Sequence, residues 1–556
     1  MRKTSILLAA ALCLCLFAGC APQQQPEEKD PYAEIPVEYE PERAEHEDEG
    51  LALYFQHAFV KTPRTDTEST GRDTYKMYMG RNEIETMQFL LSAEDAREGY
   101  SAEMTAFAAQ GGEELSAELF KLRYFDVNYE QIPDALCPYG AGESFDLEGG
   151  ASQAFLVRVK TLPETAAGEY EAALRIRDAA GREVKRARVF LHVWDFTLPE
   201  ETSCTVSMDM SGYEIARVSG RGDLYKNYYD FLLENRICAY ELPYDIFSEE
   251  AEAYMSNPRV RSFNLSKFGS DAAYMARAAQ RMAENPVWAE KAYFYYVDEP
   301  LDEADLNEIA RYGALLEGAY PGYRMVSPFF TPGTVQATGE DYVSFMADYI
   351  NIWCPKASLY TTDEEYMTVD GAKQPFFESW QEAENGTFRE RMEAEAAGGD
   401  TLWWYTCWDP TAPYITLNTE EKGVNHRILF WQQKYFGVEG FLYFSVNEWD
   451  AGSDSWTSHE KFNSESQTVW GDGQLIYCGT QLGLDIPVAS LRLNSVRDGI
   501  EDYEYLTMLE AQIGTAAVNE LISKITTGIV SYTSDDDLFA AWRVRLGNYL
   551  EAELAG

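Results

Sequence analysis

Apolar and polar positions follow three different rhythms along this 556-residue chain. From about Gly50 to Pro199 they alternate in short runs separated by turn residues. Phe155–Val159, Gly168–Tyr170, Ala172–Ile176 and Val189–Trp194 read as successive antiparallel strands, with Asp178-Ala-Ala-Gly-Arg182 turning between two of them. Such grammar predicts an N-terminal antiparallel β-sandwich over residues 50–200. After Ser203 the rhythm becomes strand, helix, strand. Eight apolar runs stand out: Cys204–Met210, Ile237–Leu242, Val260–Leu265, Ala292–Val297, Arg324–Phe329, Tyr349–Trp353, Thr401–Trp408 and Gly440–Val446. Between several of them lie amphipathic segments, such as the one carrying Leu224, Tyr228, Phe231 and Leu232 on one helical face. Eight strands with intervening helices predict an α/β (β/α)8 TIM-type barrel over 201–486. From Pro487 onward the pattern is helical, predicting C-terminal helices over 487–556 that pack on the barrel.

The first fifty residues obey none of these rhythms. Met1-Arg-Lys and the apolar run from Ile6 to Phe17 have the form of a secretory signal over 1–19, too short to span a bilayer as a mature helix. The ending Leu16-Phe-Ala-Gly-Cys20 resembles the bacterial lipobox, which implies a lipid on Cys20; an ordinary cleaved signal is the other reading. Residues 21–49 hold five prolines and eleven acidic but only two basic residues. Such a stretch buries too little apolar surface to offset its ordering entropy, so 20–49 is expected to be a disordered acidic tether. The chain would then be exported and lipid-anchored to the bacterial cell envelope.

Charge and cysteine usage narrow the partners. With 93 Asp and Glu against 45 Lys and Arg, the formal net charge of −48 argues against nucleic acid. The widely scattered cysteines show neither CxxC metal spacing nor a dense disulfide framework. Five histidines without paired spacing, and a polar loop at Asp450–Gly473 without calcium-loop spacing, predict no metal, and no cofactor is implied. That loop instead has the length of a lid or substrate wall.

Candidate chemistry gathers at strand ends, which in a barrel form the functional face. The fourth candidate strand runs Tyr293-Phe-Tyr-Tyr-Val and delivers Asp298-Glu299 before Pro300. Two carboxylates in one site cannot both ionise freely, so burial and repulsion would keep one protonated as a general acid. Adjacent acids cannot flank a sugar from opposite sides. They suit a reaction in which a 2-acetamido group of the substrate supplies the nucleophile. The same pair also suits the cap of a helix beginning near Pro300. The seventh run ends in Trp403-Trp404-Tyr405-Thr406-Cys407-Trp408-Asp409-Pro410 and is followed by Tyr414; Trp404, Trp408 and Tyr414 are candidate sugar-stacking walls, although alternation sends at least half of this run into core. The eighth brings Tyr443, Asn447 and Glu448 to the same face, for sugar hydroxyls or mere loop solvation. In the charged segment Arg497–Tyr505, Arg497 and Glu501 lie four apart and predict a brace for the barrel.

These motifs together resemble the glycoside hydrolase family 123 catalytic domain: Val297-Asp-Glu-Pro300, Trp403–Trp408 with Asp409-Pro410, Gly440-Phe-Leu-Tyr443 with Asn447 and Trp449, Gly471-Asp-Gly473, and Arg497-Asp-Gly-Ile-Glu-Asp-Tyr-Glu-Tyr505. Gly168-Glu-Tyr170 and Val193-Trp-Asp-Phe-Thr-Leu-Pro199 are similar to the sandwich that precedes it in that family. The resemblance implies a retaining, substrate-assisted β-N-acetylgalactosaminidase-like enzyme, with Glu299 as general acid/base and Asp298 orienting the acetamido group. Two other readings stay open: a glycosidase with Glu299 as acid and Glu448 as covalent nucleophile, and a non-catalytic glycan-binding surface lipoprotein.

Overall fold

A computed structural model describes residues 31–555 except 35, 332–334, 336–337, 363–385, 450–454, 458–459 and 463–466. The signal and Cys20 lie outside the described residues, as does part of the 450–473 loop.

Two sheets form the N-terminal region. One has five strands in the spatial order Leu51–His57, Ile84–Ala93, Ala151–Lys160, Ala117–Val127 and Glu130–Pro138, all neighbours antiparallel. The other has seven and centres on the pair Gly168–Arg177 and Glu183–Thr197. Inward residues of both, among them Phe89, Phe155 and Val157 from the first and Leu174, Val189 and Leu191 from the second, share one buried core. Phe89 and Phe155 stack with ring centroids 4.9 Å apart. Three details differ from the sequence reading. Gly168–Tyr170 and Ala172–Ile176 are one continuous strand, because Ala172 onward keeps the same alternating burial. Phe155–Val159 belongs to the opposite sheet from that strand. Tyr75–Arg81 pairs parallel to Glu183–Thr197, so the second sheet is not wholly antiparallel.

The acidic segment expected to be a disordered tether makes specific contacts from Tyr32 onward. Tyr32 stacks on Tyr549 at 4.6 Å, Glu42 pairs with Arg186 at 2.6 Å, and Asp48 pairs with Arg97 at 2.8 Å. Its acidic residues thus find basic partners in the N-terminal sheets, far along the chain.

All eight strands predicted after Ser203 are present: β1 (Thr205–Met208), β2 (Cys238–Ala239), β3 (Phe263–Asn264), β4 (Ala292–Tyr295), β5 (Met325–Phe329), β6 (Ile352–Pro355), β7 (Thr401–Tyr405) and β8 (Gly440–Tyr443). They form one parallel sheet in the spatial order β2-β1-β8-β7-β6-β5-β4-β3, a nearly closed barrel whose free edges are β2 and β3. Asn264 N–H donates to the Tyr240 carbonyl across that gap at 2.7 Å. The strands are shorter than the apolar runs because the pairing stops where each chain turns into its loop. Residues alternate as a pleated strand requires: on β4 Tyr293 and Tyr295 face the interior and Phe294 the helices, and on β7 Trp403 and Tyr405 face inward and Trp404 outward.

Helix α1 (Glu303–Ala319) follows β4, and α2 (Gly423–Tyr435) joins β7 to β8. Beyond the barrel come α3 (Leu491–Ile513), Thr515–Ile522 and α4 (Asp536–Ala555). Helix α3 is buried on nearly every side. Its charged residues are therefore paired: Arg492 with Asp134 at 2.8 Å, Asp502 with Arg427 at 2.6 Å and Arg543 at 2.5 Å, and Glu501 with Arg236 at 3.0 Å. Those partners come from the N-terminal sheets, the barrel and α4. The charged segment accordingly braces the two halves of the molecule against each other, more than the Arg497–Glu501 pair, which stands 3.9 Å apart. Gly499 lets α3 and α2 approach, since a Cβ there would fall 2.4 Å from the Phe430 ring.

Candidate active site

Asp298 and Glu299 end the segment that continues β4, at the carboxyl-terminal mouth of the barrel. They do not cap α1. Asp302 does so, accepting from the N–H groups of Ala304 at 2.8 Å and Asp305 at 3.1 Å. Both acids instead turn towards tyrosines of the interior cluster. Tyr295, the last residue of β4, donates its hydroxyl to Asp298 Oδ1 at 2.7 Å. Tyr405, the last residue of β7, donates to Glu299 Oε1. Glu299 holds φ at +41°, a region that non-glycine residues rarely occupy, and its N–H donates to the Pro328 carbonyl of β5 at 3.0 Å. Backbone strain at this position aims the carboxyl across the mouth rather than back along its own strand.

Electrostatics separates the two acids. Burial pushes the Glu299 carboxyl above the ordinary glutamate range, and the neighbouring charges of Asp298 and Asp409 add to that, while the Tyr405 hydroxyl and the Lys356 ammonium oppose it. Lys356, just past β6, pairs with Asp409. Although burial alone would lower it, Lys356 is held above its usual pKa by Cys407, Asp409 and Glu299. A carboxyl kept protonated to higher pH, beside a second acid and a fixed cation, is the arrangement needed to give and retake a proton.

The other sequence candidates separate into mouth and scaffold. Trp408 is half-buried in the loop after β7. Trp404 is fully buried in the layer outside the barrel, 5.8 Å from the Tyr360 ring and 6.1 Å from Phe436, so it is core and no sugar wall. Tyr414 is buried too, with Thr361 Oγ1 3.4 Å from its hydroxyl. Asn447 clamps the loop after β1: its Oδ1 accepts from Ser211 N–H at 2.8 Å and its Nδ2 donates to the Ser211 carbonyl at 3.0 Å. Glu448 is exposed and paired with Lys461 at 2.6 Å. Tyr443 is buried; its hydroxyl donates to Asp472 Oδ1 at 2.9 Å and accepts from Gly473 N–H at 2.9 Å, tying β8 to the Gly471-Asp-Gly473 turn. Among the sequence candidates, then, the structure brings Asp298 and Glu299 together and uses Asn447 and Tyr443 to hold the surrounding loops.

Four residues at the mouth were not singled out from the sequence. Tyr295 and Tyr405 lie inside apolar runs, where the sequence does not tell which phase of the alternation faces the interior. Lys356 follows a strand end and had no partner in sequence. Asp209 follows β1, and burial raises its carboxyl to about 6 while Lys267 opposes the rise. Its charge acts on Tyr240 and Tyr293 of the barrel interior. No group of His, Cys, Asp and Glu able to hold a metal occurs among the described residues.

Comparison with known proteins agrees with the motif resemblance. Residues 360–509 match the sequence model of the glycoside hydrolase 123 catalytic domain. That stretch contains β7, β8 and most of α3 and begins after the Asp298-Glu299 pair. The structure of a family 123 glycoside hydrolase from Clostridium perfringens, solved in a study of glycolipid glycan hydrolysis, superposes with a TM-score of 0.61 at 14% identity, covering 90% of this chain and 98% of that one. A putative beta-galactosidase from Bacteroides fragilis is matched only at a TM-score of 0.25 and 10% identity, over 72% of this chain and 58% of that one. No curated protein matches. The motifs, the matched segment and the shared fold point the same way: residues 360–509 are similar to the glycoside hydrolase 123 catalytic domain, and the chain has the fold of a family 123 glycoside hydrolase.

Proposed function

We propose that the enzyme removes a terminal β-linked N-acetylhexosamine, foremost N-acetylgalactosamine, from the glycan of a glycoconjugate. The observation that carries this reading is the Asp298-Glu299 pair at the barrel mouth, with Glu299 the acid whose proton is held by burial. Protonated Glu299 gives its proton to the glycosidic oxygen as the bond from C1 to that oxygen breaks. The acetamido carbonyl oxygen of the same sugar attacks C1 from the other face, and Asp298, steadied by Tyr295, accepts the acetamido N–H. The leaving alcohol departs and a cyclic oxazolinium remains. Glu299, now a carboxylate, takes a proton from water as the water oxygen attacks C1, so the ring reopens and configuration is retained. Glu448 is a poorer nucleophile in a rival scheme, because it is exposed and engaged by Lys461. The structural relative's connection with glycolipid glycans makes that class the first natural substrate to try.

On this reading the nearly closed sheet is a (β/α)8 barrel of TIM type preceded by a β-sandwich. The lipobox-like Leu16-Phe-Ala-Gly-Cys20 supports export and anchoring to the cell envelope through a lipid on Cys20. Radiolabelled palmitate that enters the wild-type chain and not Cys20→Ala tests the anchor. For the chemistry, a 4-nitrophenyl β-N-acetylgalactosaminide should be turned over, and the corresponding β-galactoside, lacking the acetamido group, should not. Glu299→Gln should lose at least about 100-fold in kcat, the scale of general acid catalysis. Asp298→Asn should lose kcat while retaining binding. Full activity in both variants removes the pair from the mechanism.

A further inference from the structure

A cavity of about 790 Å³ opens between the N-terminal region and two loops of the barrel. That volume lies within the range of clefts that hold small organic ligands, roughly 300–1,000 Å³. One wall is the tip of the hairpin joining strands Ala117–Val127 and Glu130–Pro138. Its two linking residues, Asn128 and Tyr129, both have left-handed backbones, with φ of 48° and 69°. Asparagine suits such a position; a bulky tyrosine does not, and glycine would be favoured. The Tyr129 ring is fully exposed, at 104% of its reference area, so no packing offsets the backbone cost. The opposite wall carries Thr411 from the loop after β7 and Gln467 and Trp470 from the loop after β8. Thr411 Oγ1 donates to Gln467 Oε1 at 2.6 Å, and Glu420 Oε2 accepts from Trp470 N–H at 3.1 Å, so these loops are locked to each other.

The loop after β7 also reaches Glu299, on which Asp409 acts through its charge. Thr411 stands two residues past Asp409, which pairs with Lys356 beside Glu299, and Trp470 precedes the Gly471-Asp-Gly473 turn held by Tyr443 at the end of β8. We propose that this cleft is a glycan subsite that holds the leaving-group side of an oligosaccharide, with the rings of Tyr129 and Trp470 as stacking faces and the polar rim bonding sugar hydroxyls. This rests on the hydrolase reading above. Asp126, Glu420 and Glu460 also line the cleft, so the glycan it takes is neutral rather than sulfated or sialylated. The N-terminal region would thereby set specificity for the part of the substrate that the barrel does not grip.

The test compares the full chain on two substrates: 4-nitrophenyl β-N-acetylgalactosaminide and a neutral tetrasaccharide ending in β-linked N-acetylgalactosamine. In Tyr129→Ala the ratio of kcat/KM, tetrasaccharide over aryl glycoside, should fall about three- to tenfold through KM, the scale of one lost aromatic contact. Tyr129→Phe should keep the ratio. Tyr129→Gly should lose it as the alanine variant does while melting no lower than wild type, because glycine relieves the left-handed backbone. An unchanged ratio in Tyr129→Ala overturns the subsite. Should the wild type cleave neither substrate, the hydrolase reading fails, and tetrasaccharide binding by calorimetry decides the cleft: weaker binding by Tyr129→Ala supports it, and equal binding or none by the wild type overturns it.

Discussion

Tyr405 reaches from the end of β7 across the barrel mouth and donates its hydroxyl to Glu299, which the chain brings in from β4. The bond joins two strands more than a hundred residues apart in sequence and opposes the rise that burial imposes on the Glu299 carboxyl. Removing it in Tyr405→Phe lets that carboxyl rise further. In the proposed mechanism Glu299 must be protonated to act as the acid, so activity should be lost as pH climbs through its pKa. The alkaline limb of the kcat/KM profile should therefore shift to higher pH in Tyr405→Phe. A limb that stays in place, or moves down, contradicts the assignment of Glu299 as the acid.

Lys356 does two things at once: it pairs with Asp409, both side chains being only 11% exposed, and its charge pulls the Glu299 carboxyl down. Lys356→Met removes the cation that faces the buried Asp409 carboxylate, which should cost up to about 3–5 kcal/mol. Urea unfolding should register that loss. In the surviving folded enzyme the alkaline limb should again move upward, since one charge opposing the rise of Glu299 has gone.

Arg492 and Asp134 are both fully buried and join α3 to the N-terminal sheets. Arg492 also donates to the carbonyls of Leu417 at 2.9 Å and Gly471 at 2.5 Å. Arg492→Met should cost about 3–5 kcal/mol because the buried Asp134 loses its ion-pair partner and keeps only the Tyr477 hydroxyl, at 2.6 Å. The double variant with Asp134→Asn should recover part of that loss. Guanidinium unfolding of the three proteins measures it, and equal destabilisation of single and double variants would show that the lost carbonyl contacts, rather than the charge, dominate.

Glu421 is buried between the N–H of Thr416, at 2.9 Å, and the side chain of Asn425, at 3.4 Å, and burial raises its carboxyl from 4.5 to about 7. Folding thus favours the protonated form. Its contribution is fully present below pH 4.5 and is lost as pH rises through about 7. Glu421→Gln stays neutral throughout, so its thermal stability should fall less between pH 5 and pH 8 than the wild type's. The difference should reach up to roughly 3 kcal/mol.

The strand ends that hold the candidate acids were legible because a buried parallel strand is a run of apolar residues that stops abruptly, and Tyr293–Val297 stops at two acids. The same logic misjudged Trp404, Tyr414 and Asn447. Aromatic and amide side chains have the same composition whether they grip a ligand or hold a loop, and only their surroundings distinguish the two. Trp404 faces out because it alternates with Trp403 and Tyr405, and the sequence does not say which phase of the alternation points inward. The acidic segment before Gly50 reads as a tether because it has too little apolar surface to offset its ordering entropy; the arginines it meets, Arg97 and Arg186, lie far along the chain.

The order of chain segments, the eight short strands, the acidic pair at the end of the fourth and the charged helix near the C-terminus follow from the sequence by itself, since each is a local pattern of burial and turn residues. What only the tertiary structure decided is which partners those patterns acquire: Tyr405 for Glu299, Tyr295 for Asp298, Lys356 for Asp409, Asp134 for Arg492. Hydrogen bonds and ion pairs act over a few ångströms, and strand alternation fixes the side on which a residue stands. The closing of the sheet into a barrel is what brings those sides within that reach.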